Sequence, residues 1–124
     1  MNTFLWTVAG LLAVVFLAGG TMKLTQPKAK LAATGQGWVE DFSDNAVKGL
    51  GLLEVLAAIG LILPAALDIA PVFVPLAATG LGVMMVGAAL THARRREFPN
   101  IAVNTVLLAL AAVVAWGRFG PHSF

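Results

Sequence analysis

The chain has 124 residues, 59% hydrophobic and 11% charged, with a net charge of +2 and no cysteine. Soluble domains carry about 25% charged and about 45–50% apolar residues, and a chain this short cannot bury such an apolar surplus in a water-facing core. Composition therefore excludes an ordinary soluble domain. The missing cysteines exclude disulfide exchange and thiolate catalysis, and the small net charge excludes a nucleic-acid footprint.

The solvent that fits this composition is lipid. A helix crossing the hydrocarbon core needs about 20 predominantly apolar residues. The first such stretch begins the chain, MNTFLWTVAGLLAVVFLAGG. It resembles a secretory signal but lacks a positive leading region, and its apolar run is longer than such signals use. A retained spanning helix over about 3–22 is expected.

Next comes the only sizeable polar segment, 25–45, TQPKAKLAATGQGWVEDFSDN. Its PKAKLAAT portion predicts one or two helical turns starting at Pro27, and Trp38 and Phe42 are expected at the membrane interface, where aromatic side chains gather. A second span over about 46–66 follows, with Ser43, Asp44 and Asn45 as capping candidates. Asp68 and Pro71 mark a tight turn into a third span, about 71–91. HARRREFPN is a short basic loop, and the fourth span covers about 100–116. Spanning helices satisfy their own backbone in lipid and open sheets do not. The expectation is one all-α domain over 1–124, an integral membrane four-helix bundle.

Alternating spans sort the charges. Lys23, Lys28, Lys30, Lys48, Arg94, Arg95 and Arg96 fall on one side, and Arg118 on the other. The excess of positive charge in cytoplasmic loops predicts that loop 25–45 and the arginine loop are cytoplasmic, with both termini outside. The arginines read first as topology determinants and second as contacts to anionic lipid. The localisation expected is a multi-pass protein of the cell membrane.

Glu54 interrupts the apolar run GLGLLEVLAAIGLILP. It lies six residues beyond Lys48, about 9 Å along a helix rising 1.5 Å per residue. An acidic or basic residue at a helix centre costs about 2.5–3.5 kcal/mol on insertion scales, and such residues usually face the bundle interior and mark function. Residues three and four apart share a helix face. Glu54 shares its face with Gly51 and Ala58, and small residues let membrane helices approach closely. The same stripe in the first span is Ala9, Ala13, Phe16, Gly20 and Lys23. In the third it is Ala78, Gly82, Met85, Ala89 and His92. In the fourth it is Asn100, Asn104, Leu108, Ala111 and Ala115. Lys23, Glu54, His92, Asn100 and Asn104 thus converge on one polar cluster in the cytoplasmic half of the bundle.

Blander roles stand beside that cluster. Lys23 and His92 sit at helix ends, where such side chains reach the interface. Asn100 suits a helix cap. Asn104 suits an interhelical hydrogen bond, worth about 0.6 kcal/mol. Asp68 and His122 read as loop and tail residues.

Chemically, desolvation favours a protonated glutamate and a neighbouring lysine favours the carboxylate. A histidine between them would titrate near neutral pH. Such a group can orient the polar head of a lipophilic molecule or exchange protons with it. The two histidines are predicted on opposite sides of the membrane, so no paired metal or haem ligands are expected. No serine sits in a nucleophile-elbow pattern, and no glycine-rich nucleotide loop follows a strand.

Four motifs resemble the DoxX-like family of small four-helix membrane proteins: AGGTMKL at 18–24, KGLGLLEVLAAIGLILP at 48–64, PLAATGLGVMMVGAALTHARRRE at 75–97 and the closing WGR at 116–118. The order of a lysine after the first span, a glutamate in the second and a histidine closing the third is similar to that family's pattern. The family is named from a subunit associated with a thiosulfate–quinone oxidoreductase, and other members resemble assembly factors or cargo chaperones. The resemblance implies fold and membrane location more strongly than reaction.

Three functions are in view. The first is a bundle binding a lipophilic, quinone-like molecule as the membrane part of a redox system. There Glu54, His92 and Lys23 position and protonate the ligand head, and Asn104 and Asn100 help bind it. No cofactor within the chain is expected, a quinone is the candidate ligand, and electrons would come from a redox partner protein. The second is a self-contained enzyme doing acid–base isomerisation or ring opening on an apolar substrate, with Glu54 as acid or base. The third is a non-catalytic scaffold or assembly factor. The lipid bilayer is the general partner, and a homo-oligomer is expected because four short helices exclude little lipid.

Overall fold

The computed structural model of the protein describes residues 2–33 and 37–124, Asp41 by its backbone alone. Among them are five α-helices: α1 (Asn2–Thr25), α2 (Lys28–Ala33), α3 (Asp44–Ala66), α4 (Phe73–Arg94) and α5 (Phe98–Phe119), with a 3-10 turn at Gly37–Asp41. The four long helices α1, α3, α4 and α5 are long and apolar enough to cross a membrane. Each extends two or three residues beyond its apolar run at one or both ends, because capping and polar final turns continue a helix that hydropathy alone would stop.

Local chemistry sets the boundaries. Ser43 caps α3, its hydroxyl accepting from the Ala46 N–H at 3.1 Å. The α3–α4 turn carries Asp68 and Ala70 in the left-handed region, at φ 53° and 48°. The predicted short helix after Pro27 is α2, and Thr34 lies outside the described residues. α5 starts at Phe98, with proline in its first turn, where a missing N–H does no harm. Its N-cap is Glu97, not Asn100, and the Glu97 side chain makes no capping bond.

The long helices form a ring in the order α1, α3, α4, α5, each packed against its two neighbours. The apolar core centres on Leu12, Phe16, Ala58, Leu61, Leu81, Ala111 and Val114. Leu11, Leu53, Leu56, Val83, Val103 and Val106 point outward, the surface that a lipid solvent accepts. The N-terminal turns of α1 and the C-terminal tail meet at one end, the rings of Trp6 and Phe124 lying 5.7 Å apart. At the other end the segment between α1 and α3 folds into a cap. Leu31, Val39 and Val47 form its own small core, and Lys28 Nζ donates to the Phe42 carbonyl across it.

The tightest helix contact joins α1 and α3. A Cβ on Gly20 would lie 2.6 Å from the Gly51 carbonyl oxygen and 2.8 Å from Val55 Cγ2. A Cβ on Gly51 would lie 2.8 Å from the Gly20 carbonyl oxygen and 2.8 Å from Lys23 Cβ. Backbone meets backbone here, so only glycine fits on either side.

Alanine gains about 1 kcal/mol over glycine in helix propensity, but overpacking a tight contact costs about 1–3 kcal/mol. Gly20→Ala and Gly51→Ala are therefore expected to lower stability in detergent. Gly49→Ala, on the same helix with open space around it, should be neutral or slightly stabilising. Unfolding titrations in SDS check the contrast, and equal effects at the three positions would refute the close approach.

Candidate functional site

The glycine contact brings Lys23 to Glu54. Both residues lie three positions past their glycine, each on the inner face of its helix. The Lys23 stem crosses Gly51, and the ammonium ends beside Gly19, where an added Cβ would sit 3.7 Å from Nζ and 3.5 Å from Glu54 Oε2. Lys23 Nζ donates to Oε1 at 3.1 Å and Oε2 at 3.0 Å. Both side chains are buried. The pair is direct, so the expectation of a histidine between glutamate and lysine is not met.

His92 belongs to a second pair. Its Nδ1 lies 2.8 Å from Glu97 Oε1, and Arg95 Nε lies 3.4 Å from the other Glu97 oxygen. The hydrogen bond from His92, and after it the Arg95 guanidinium, holds the Glu97 carboxyl below its usual range. Asn100 sits beside this pair, its Nδ2 3.5 Å from His92 Nδ1.

Trp38 joins the two pairs. Lys23 Nζ stands 5.5 Å from its ring centroid, a cation–π distance. The His92 ring meets Trp38 edge to face at 6.5 Å, and Phe42 does so at 5.7 Å. Both aromatic residues turn into the bundle end, because the small core of Leu31, Val39 and Val47 folds their segment over it.

A cavity of about 590 Å³ lies under this cap. Its polar wall is Lys23, Glu54, His92 and Asn104, with Thr91 and Arg94 also lining it. Its apolar wall is Val15, Phe16, Leu50, Met84, Met85 and Leu107, and Trp38 and Phe42 lie across it. Asn104 is buried, and its Nδ2 has no hydrogen-bond partner. It is not engaged in the interhelical bond considered for it. Of the five residues singled out from sequence, Lys23, Glu54, His92 and Asn104 share the cavity, and Asn100 does not line it.

Sequence reasoning missed Glu97 and Trp38 as parts of the site. The available signal for Glu97 was a single carboxylate in an otherwise basic loop, five residues after His92. It also missed the far end of the bundle. There Arg118 is buried, donates from Nη1 to the His122 carbonyl at 2.9 Å and stacks on Phe124 at 3.8 Å.

The DoxX-like family model matches residues 7–114. The chain belongs to the DoxX-like family. No curated protein and no solved structure matched it. In this DoxX-like protein the matched region holds every cavity-lining residue.

Breaking a buried ion pair from one side costs about 3–5 kcal/mol, whereas replacing both partners by apolar groups is often neutral. Lys23→Met alone is expected to destabilise this DoxX-like protein by that amount, and Lys23→Met with Glu54→Leu to recover most of it. A double-mutant cycle on SDS unfolding measures the coupling, and additive losses would show that the pair does not interact.

Proposed function

We propose that this DoxX-like protein binds a lipophilic small molecule with a polar head, quinone-like in character, as the membrane part of a redox system. One observation carries the reading. A cavity of about 590 Å³ inside a membrane bundle has apolar walls and a polar end with a buried, unpartnered amide donor at Asn104. Ligand sites typically enclose about 300–1,000 Å³ and combine apolar walls with a few placed polar groups. A buried donor left unmade costs about 1–3 kcal/mol, and a ligand oxygen would remove that cost.

The choice of a quinone over other lipophilic molecules rests on the thiosulfate–quinone oxidoreductase from which the family takes its name. Electrons would come from a partner protein. The seven basic residues around the cavity end would place that end, and the partner, on the cytoplasmic side. The acid–base reading draws on a group besides the one first considered. Glu54 holds Lys23 with both oxygens, and His92 is a second cavity group placed to exchange a proton.

Trp38 supplies the test, because quinones quench tryptophan fluorescence on contact. With Trp6→Phe and Trp116→Phe in place, Trp38 is the sole reporter. Titration with a decyl-substituted benzoquinone should give saturable quenching. Asn104→Leu should weaken it about two- to tenfold, the worth of one hydrogen bond. Ala88→Phe, which obstructs the cavity without adding a second tryptophan, should abolish saturation without lowering the unfolding midpoint. Unsaturable quenching, equal in the obstructed variant, would refute the reading.

A further inference from the structure

The polar atoms of the cavity divide by whether the protein already satisfies them. Lys23 and Glu54 satisfy each other. Asn104 Nδ2 is a donor without a partner. The tautomer of a neutral His92 follows from its contacts. Nδ1 lies 2.8 Å from Glu97 Oε1, and an ionised carboxylate only accepts hydrogen bonds. The hydrogen is therefore on Nδ1. Asn100 Nδ2, at 3.5 Å, would need a lone pair on that same nitrogen, and at that distance it loses the competition. A neutral imidazole with Nδ1 protonated carries its lone pair on Nε2. The ring lines the cavity, and among the described residues Nε2 has no hydrogen-bond partner.

The cavity thus sets a ring acceptor, His92 Nε2, against a buried donor without a partner, Asn104 Nδ2, with the Asn104 Oδ1 and the Thr91 and Arg94 side chains also on its wall. A quinone can use only the donor. A quinol, or another lipophilic molecule with a hydroxyl and a second oxygen, can use both. Resting on the ligand reading above, we propose that the cavity selects a hydroxyl-bearing lipophilic molecule. Its hydroxyl donates to His92 Nε2, and another of its oxygens accepts from Asn104 Nδ2. Glu97 is the positioning residue that makes His92 an acceptor.

Glu97 never touches the ligand in this account. It fixes the tautomer, as a carboxylate behind a histidine does in many sites. The other groups around the ring are Asn100 from α5, Trp38 from the cap, and Lys23 and Arg95 one contact further away. Of these only the Asn100 amide carries an acceptor, and at 3.5 Å it stands further from Nδ1 than the Glu97 carboxylate at 2.8 Å, so it holds the hydrogen there more weakly.

Two measurements test this at about pH 8, above the usual histidine range. The chain has two histidines, His92 and His122, so ¹⁵N-histidine labelling with a His122→Gln variant assigns the His92 signals. Wild type should show the Nδ1–H tautomer, and Glu97→Ala should shift His92 toward Nε2–H. Competition between a decyl benzoquinol and its dimethyl ether, which has no donor, reads recognition. Wild type should prefer the quinol about tenfold, one hydrogen bond, and Glu97→Ala should lose most of that preference. An Nε2–H tautomer in wild type, or equal binding of quinol and ether, overturns the proposal. If neither probe binds while the Nδ1–H tautomer is present, the ligand reading itself fails and hydroxyl recognition falls with it.

Discussion

Two charges sit inside an apolar bundle because two glycines let α1 and α3 touch. Glu54, midway along α3, would alone cost about 2.5–3.5 kcal/mol. Together, with two hydrogen bonds at 3.0 and 3.1 Å, Lys23 and Glu54 cancel one another within the protein. The contact at Gly20 and Gly51 sets the register that allows this. A side chain at either position would push the helices apart and separate the pair. The ion pair in turn fixes one wall of the cavity, and Lys23 extends that order to Trp38 and the cap above it.

The rest of the site follows from how the charges are used. Glu54 is matched by Lys23, and Glu97 by His92 and Arg95. Apart from the exposed Arg94, what remains on the cavity wall is neutral and directional: an amide, an imidazole lone pair and aromatic faces. Such a surface suits a molecule that is mostly apolar with a small polar head. A fully charged wall would favour ions or water instead. Pairing the ionisable groups internally is thus what turns a polar cluster in lipid into a candidate receptor for a lipophilic ligand.

Much of this was legible in the sequence because membrane helices announce themselves by apolar length and by stripes of small residues. Gly51, Glu54 and Ala58 do share a buried face, as do Gly20 with Lys23 and Met85 with His92. Lys23, Glu54, His92 and Asn104 meet where those faces converge. The parts that were not legible depend on contacts between segments with no shared period. Trp38 reaches the cavity only because Leu31, Val39 and Val47 build a cap core. Glu97 reads as a loop residue until the end of α4 and the start of α5 bring it back to His92. Asn100 looks like a cap, but α5 begins two residues earlier. Arg118 counts in the sequence only as the lone charge near the C-terminus, and its burial depends on the C-terminal residues that fold over it. In each case tertiary packing, not local pattern, assigns the role.

The central claim is that the cavity holds a lipophilic molecule. Native mass spectrometry of protein released gently from membranes, paired with extraction of the bound material, tests it most directly. Wild type is expected to carry a small lipophilic molecule of defined mass that is missing from the cavity-obstructed Ala88→Phe variant. The same spectrum for both proteins, with no such molecule retained, would contradict the account.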